Sequence, residues 1–261
     1  MRPSRIVHDD LGLPVRLPGE VRRVVSLVPS LTESVAATAP GLLAGATDWC
    51  SHPAGLDVTR VRGTKNPDVD AIVALGPDLV LANEEENRVL DLDALRAAGV
   101  PVWVTVVRTL DDALASLRRM LVTAMGLPEP EWLSAAGRAW SADLTRGERR
   151  AVIAVWRKPW MVVGRDTFTG DVLQRLGVRN IYAAHAERYP RIPLPELLAA
   201  RPDLVVLPDE PYRFTPDDGP GFFPGVPAAL VSGRHLTWYG PSLAEAPRVL
   251  ADALAAAEAP E

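Results

Sequence analysis

The side chains best able to do chemistry fall in short segments where aromatic rings alternate with charge. In the first half of the chain these are Trp49-Cys50-Ser51-His52, Thr64-Lys65-Asn66 and Asn83-Glu84-Glu85-Glu86, with Ser30 behind Pro29. In the second half they are Trp156-Arg157-Lys158-Pro159-Trp160, Arg165-Asp166-Thr167-Phe168, Arg188-Tyr189-Pro190 and Asp209-Glu210-Pro211-Tyr212. Rings in such company sandwich a large, partly apolar ligand while neighbouring charges fix its polar rim. The binding candidates in the first half are Ser30, Trp49, His52, Thr64, Lys65, Glu84 and Glu85. Those in the second are Trp156, Arg157, Trp160, Arg165, Phe168, Tyr189 and Tyr212. Trp49, Trp160 and Tyr189 also read as half-buried packing rings, and Glu84 to Glu86 as a solvated loop.

Catalysis is the competing chemistry. It would need an imidazole or carboxylate with a shifted pKa, and His52, Glu84, Glu85, Asp166 and Glu210 are the acid/base candidates. Cys50 beside His52 suggests a thiol nucleophile, but nothing nearby supplies the third, orienting group. The four histidines, among them His185 and His235, are scattered singly, and with one cysteine no spacing resembles a zinc site, so no metal site is expected.

Each segment follows an apolar run, which places it at the end of a strand. Val21 to Val28 runs into Pro29 and then Ser30/Glu33, a capping-box spacing that reads as strand, turn and helix. Leu42 to Ala46 is a short strand before the Trp49 to Pro53 loop. Asn66 as cap and Pro67 at the first position open a helix through Leu75, which feeds the apolar strand Asp78 to Ala82. In parallel α/β sheets ligands bind outside the carboxyl ends of the strands, where all of these segments lie.

The helix and strand recur. Ala71 to Glu84 parallels Glu196 to Glu210, each with Pro-Asp between helix and strand, at a shift of about 125 residues. The second copy opens on Arg150 to Trp156 and a helix from Phe168 to Leu176. Between the copies Leu114, Leu117, Leu121 and Met125 recur at helical spacing, interrupted by Pro128 and Pro130, and Trp132, Leu133, Ala136 and Trp140 resume it. The fold class is α/β: two similar lobes with central parallel-rich sheets, joined by a long helical connector, with a ligand cleft between the lobes. The divisions are residues 1–20 as an extension, 21–108 as the first lobe, 109–149 as the connector and 150–261 as the second lobe. A stiff connector predicts little hinge motion. Trp238 to Pro241 is expected to pack the second lobe.

The chain has 261 residues with 48% hydrophobic and 23% charged, which suits a globular protein of one or two domains. Its net charge of −5 leaves no basic footprint for nucleic acid. Cys50 has no partner for an internal disulfide, and no run is long enough to span a bilayer. The charged, proline-bearing start through Arg2, Pro3, Arg5, Asp9 and Asp10 does not read as an export signal, so a cytoplasmic monomer is expected as written, or an extracytoplasmic protein if a signal was trimmed.

Val25-Ser-Leu-Val-Pro-Ser-Leu-Thr-Glu33, Gly45-Ala-Thr-Asp-Trp-Cys-Ser-His-Pro53, Asn66 to Ala82 and Arg201-Pro-Asp-Leu-Val-Val-Leu207 resemble the helical-backbone, class III solute-binding proteins. These serve ABC importers of cobalamin, iron siderophores and haem, and the cobalamin-binding branch is the most similar, over roughly Val21 to Ala253. The resemblance implies two lobes on one long helix and a non-enzymatic binder without an intrinsic cofactor. It implies cobalamin or a related corrinoid as ligand, or else an iron chelate or haem, and an ABC permease as partner if the protein is exported. By the same resemblance Trp49 lines the corrin pocket, Tyr189 takes the place of a ring-stacking tryptophan, and Thr64 stands where the cobalamin binder has a second tryptophan. Asp70 and Glu196 match carboxylates that dock on importer arginines, Glu196 one position from register. A cytoplasmic enzyme or biosynthetic accessory protein that reuses the fold is the alternative.

Overall fold

Two five-residue strands, Leu79–Asn83 and Leu204–Pro208, are buried at every position, as strands of a parallel sheet covered on both faces must be. Each is an interior strand in the sheet of one of two compact units. The computed structural model describes residues 3–142 and 147–257.

The first unit comprises the chain to Val106 with Asp112–Ser134 and Tyr239–Pro241. The opening residues, expected only as an extension, form a hairpin of β1 (Arg5–His8) and β2 (Pro14–Leu17). There follow β3 (Val24–Ser26), α1 (Pro29–Thr38), β4 (Leu43–Ala46), β5 (Thr59–Arg60), the two-strand ribbon of β6 (Arg62–Gly63) and β7 (Asn66–Pro67), α2 (Val69–Ala74), β8 (Leu79–Asn83), α3 (Val89–Ala97) and β9 (Val102–Thr105). The sheet runs β5-β4-β3-β8-β9, all parallel. Its core packs Val25, Val80 and Val104 of the strands, with Leu27 just past β3, against Ile72 of α2 and Leu92 and Leu95 of α3.

Two expected caps are corrected. Ser30 and Glu33 form no capping box, because α1 begins at Pro29, whose missing N–H suits the first helical position, and Val28 precedes it without a side-chain cap. Asn66-Pro67 is drawn into β7, so α2 starts later and Asp68 caps it, accepting from the Ala71 N–H at 3.1 Å. The hairpin tip is fixed by carboxylates. Asp9 accepts from the Leu11 and Leu13 N–H groups, and Asp10 pairs with Arg119 at 2.7 Å.

The expected connector is two helices. α4 (Leu110–Arg118) passes into a π-helical stretch, Arg119–Ala124, and α5 (Glu131–Ala139) follows a loop that holds Pro128 and Pro130. Among the described residues no helix is long and apolar enough to cross a membrane.

The second unit comprises Val107–Asp111, Ala135–Trp238 and the chain from Ser242. Its elements are β10 (Arg149–Trp156), β11 (Met161–Val162), α6 (Phe168–Arg175), β12 (Val178–Asn180), α7 (Leu194–Ala199), β13 (Leu204–Pro208), β14 (Ala228–Val231), α8 (Gly233–Thr237) and α9 (Ala246–Ala255). β12, β10, β13 and β14 are parallel neighbours in that order, and β11 turns back antiparallel along the end of β10. The order repeats that of β4, β3, β8 and β9, which is the duplication at the level of topology. Ile72 of α2 and Leu197 of α7 occupy equivalent sites and are both fully buried. Tyr239–Pro241 belongs to the first unit, not the second as expected. Gly240 rests on α1, where a Cβ would come within 3.0 Å of the Ser30 carbonyl.

Candidate ligand-binding site

In the first unit the carboxyl ends of the strands are tied together by two buried amides. Asn87 donates to the Thr64 carbonyl at 2.9 Å and the Leu27 carbonyl at 3.5 Å, and accepts from the Asn83 N–H at 2.9 Å. Asn83 donates to the carbonyl and hydroxyl of Thr105 at 3.0 and 3.1 Å. Its side-chain oxygen accepts from the Glu85 and Glu86 N–H groups, an Asx turn that sets the loop after β8. Lys65 reaches the Glu85 carbonyl with its ammonium. Thr64, Lys65, Glu84 and Glu85 are thereby brought to one place, with Glu84 exposed and Glu85 half-buried. Burial raises the Glu86 carboxyl above its ordinary pKa, and the Lys65 charge opposes that rise.

Trp49 stands in the loop after β4 and is 69% exposed, far more than a packing ring. A Cβ at Gly63 would run into Asn66 Oδ1 and lie 3.3 Å from the indole nitrogen, so Asn66 is what requires glycine there and the ring lies alongside. Arg60 fixes the loop from below, donating to the Thr47 and Cys50 carbonyls at 2.9 and 3.0 Å and to Leu56 at 3.1 Å. His52 is exposed, with its Nδ1 3.2 Å from the Ser51 hydroxyl. Cys50 is buried between the Thr32 and Thr47 hydroxyls, which assigns its thiol to packing and hydrogen bonding. Ser30 is buried at the start of α1.

In the second unit the equivalent ends are built from rings. Trp160 stacks on Phe214 at 5.9 Å and meets the edges of Phe222 and Phe223 at 5.7 and 5.4 Å. Tyr212 packs on Phe214 at 4.7 Å and meets Trp156 edge-on at 5.2 Å. Arg157 crosses this cluster and pairs with Asp218 at 2.7 Å. Trp156, Arg157, Trp160 and Tyr212 thus stand together on the β10–β11 hairpin and the loop after β13, with Trp156 40% exposed and Trp160 half-buried.

Arg165, Phe168 and Tyr189 lie on a neighbouring pair of loops. Arg165 donates to the Ala186 carbonyl at 2.8 Å, Arg188 to Asp166 at 3.0 Å, and the Gly164 N–H to Arg188 at 2.7 Å. A side chain at Gly164 would run into the Glu187 carbonyl, so the close approach of the two loops requires glycine. Tyr189 is half-buried beneath the Arg188 guanidinium, 5.9 Å from its ring centre, and Phe168 is buried at the first position of α6. Asp166 is exposed beside Arg165, and Glu210 lies against Gly233. Asp70 and Glu196 are exposed in the first turns of α2 and α7, one position out of register with each other. Among the described residues no three His, Cys, Asp or Glu side chains are grouped to hold a metal ion.

Sequence reasoning missed Asn87, Arg60, Phe214, Phe222 and Asp218. An asparagine four residues past a strand end, as Asn87 is past Asn83, carries only the weak signal of turn chemistry, and the aromatic partners of Trp160 come from loops 54 and 62 residues away.

The chain is 25% identical over 204 residues to the Vitamin B12-binding protein of Pectobacterium carotovorum, covering 74% of this chain and 73% of that one. Among solved structures, the periplasmic vitamin B12 binding protein BtuF of Vibrio cholerae superposes with a TM-score of 0.68 at 17% identity, covering 90% of this chain and 97% of that one. The periplasmic heme-binding protein RhuT from Roseiflexus sp. RS-1 superposes at 0.73 and 20% identity, covering 89% and 99%. These structures share the fold, two α/β units with parallel sheets. The model of the Periplasmic binding protein family matches residues 24–212, most of the chain, from β3 through β13, and the chain is a member of that family.

Proposed function

We propose that this protein is a solute-binding protein for a large cofactor-like ligand, cobalamin or a related corrinoid first and haem or an iron chelate second. The single observation that carries the proposal is the exposed Trp49 ring, on a strand-end loop whose backbone Arg60 ties down, next to Gly63 and the Thr64–Glu85 cluster. An indole left in water at a sheet's carboxyl edge is a surface for a flat apolar ligand face. The names of the relatives agree with this chemistry, being vitamin B12-binding and heme-binding proteins. The protein would act outside the cytoplasmic membrane and deliver its ligand to an ABC permease, with Asp70 and Glu196 as the docking carboxylates.

Calorimetric and spectral titration with hydroxocobalamin, haemin and a ferric siderophore tests the proposal. One of them is expected to bind saturably at one ligand per chain. No heat and no spectral change with any of the three would overturn it.

A further inference from the structure

At the end of β10 the Arg157 guanidinium is enclosed on three sides. Asp218 lies 2.7 Å from Nη2, the Phe222 ring centre 4.8 Å and the Tyr212 ring centre 5.8 Å from Cζ, and the side chain is only 12% exposed. The Tyr212 hydroxyl donates to the other Asp218 oxygen at 2.5 Å. The Tyr212 and Arg157 hydrogen bonds hold the Asp218 carboxyl below its ordinary range, so the pair is ionised at neutral pH. Lys158, next along the hairpin, is exposed and acts on the same carboxylate. An arginine under two rings is poorly hydrated, and its charge is felt strongly unless a partner cancels it.

We propose that Asp218 sets the charge preference of the ligand site: by cancelling Arg157 it keeps the Trp156–Tyr212 face neutral, suited to a ring-rich ligand with at most one anionic group, and leaves Lys158 to meet that group. This deepens the proposed function and rests on it. A corrinoid, with a single phosphodiester and many neutral amides, fits such a face. Haemin, with two propionates, meets a single uncancelled cation, Lys158, on this face. Phe222 and Tyr212 add specificity because they hold the guanidinium where it serves Asp218 and not the ligand.

The test compares hydroxocobalamin and haemin affinities for the full chain and three variants, Asp218→Asn, Arg157→Gln and the double variant. Asp218→Asn uncovers a second cation and is expected to shift the affinity ratio about tenfold toward haemin, and Arg157→Gln about tenfold the other way. The double variant, neutral again, should return within about twofold of the wild-type ratio, and it keeps the comparison available if one single variant folds poorly. A merely structural pair would weaken both ligands alike in each single variant, with the ratio unmoved, and that result overturns the inference. Wild-type protein that binds neither ligand instead overturns the functional reading, and this inference with it.

Discussion

In the first unit the segments after β3, β8 and β9 are tied by amide and hydroxyl groups of Asn83, Asn87 and Thr105, whereas in the second the segments after β10 and β13 are tied by Trp160, Tyr212, Phe214 and Phe222 around one ion pair. The sheets beneath share one strand order and one helix–strand repeat. A duplicated scaffold therefore keeps its core and diverges at its rim, where loops are free to acquire chemistry. Each rim is also ordered by different means. Directional bonds to backbone carbonyls fix the first and leave Trp49 exposed, while ring packing fixes the second and uses up most of its aromatic surface.

The largest expected effect breaks the ring-built rim. Trp160→Ala removes a side chain that packs on three phenylalanine rings, and unfolding by denaturant should show a loss of about 3 kcal/mol. A loss below about 1 kcal/mol would mean that the rings are not what orders the second rim. Asn87→Ala breaks the other rim. It strands the Asn83 N–H and the Thr64 carbonyl away from their partner, and the same measurement should show about 2 kcal/mol, with faster amide exchange at residues 84–87. Exchange unchanged in that loop would contradict its role.

Trp49→Ala sharpens the contrast, because an exposed ring contributes little to folding. Stability should stay within about 0.5 kcal/mol of wild type, while ligand affinity falls by about 1–3 kcal/mol, read by calorimetry. A stability loss with unchanged affinity would make Trp49 a packing residue after all.

The smallest effect is electrostatic. The Glu86 carboxyl is raised above 4.5 by burial, so its ionised form is disfavoured in the folded chain. Stability should therefore fall as pH rises from about 4.5 through the raised pKa, and recover on acidification through the same window. Glu86→Gln should raise the thermal midpoint at pH 7, and the gain should vanish below pH 4.5. A variant less stable than wild type at pH 7 would show that the Lys65 attraction outweighs burial.

The architecture was legible because its signals are local and repeated. The Pro77-Asp78 and Pro202-Asp203 junctions marked the duplication, and unbroken apolar runs at β8 and β13 marked buried parallel strands. Helix starts were less legible. The Ser30/Glu33 spacing and the Asn66-Pro67 pair are both valid start signals, but Pro29 and the β6–β7 ribbon took precedence because they satisfy the same backbone groups earlier in the chain. At the site, the ring-and-charge segments after each strand were visible, since strand ends can be read from sequence. What held them was not, since Asn87 to Leu27 spans 60 residues and Arg157 to Asp218 spans 61, and no local pattern encodes such pairs.

If the exposed Trp49 rim of the first unit holds a large ring-bearing ligand, native mass spectrometry of the full chain with an equimolar mixture of hydroxocobalamin, haemin and a ferric siderophore will show it. One adduct of one ligand per chain is expected, cobalamin foremost, which weakens in Trp49→Ala and persists at the wild-type level in a surface variant such as Arg22→Gln at the opposite ends of the strands. A spectrum with no adduct of any of the three, or an adduct indifferent to Trp49, would contradict it.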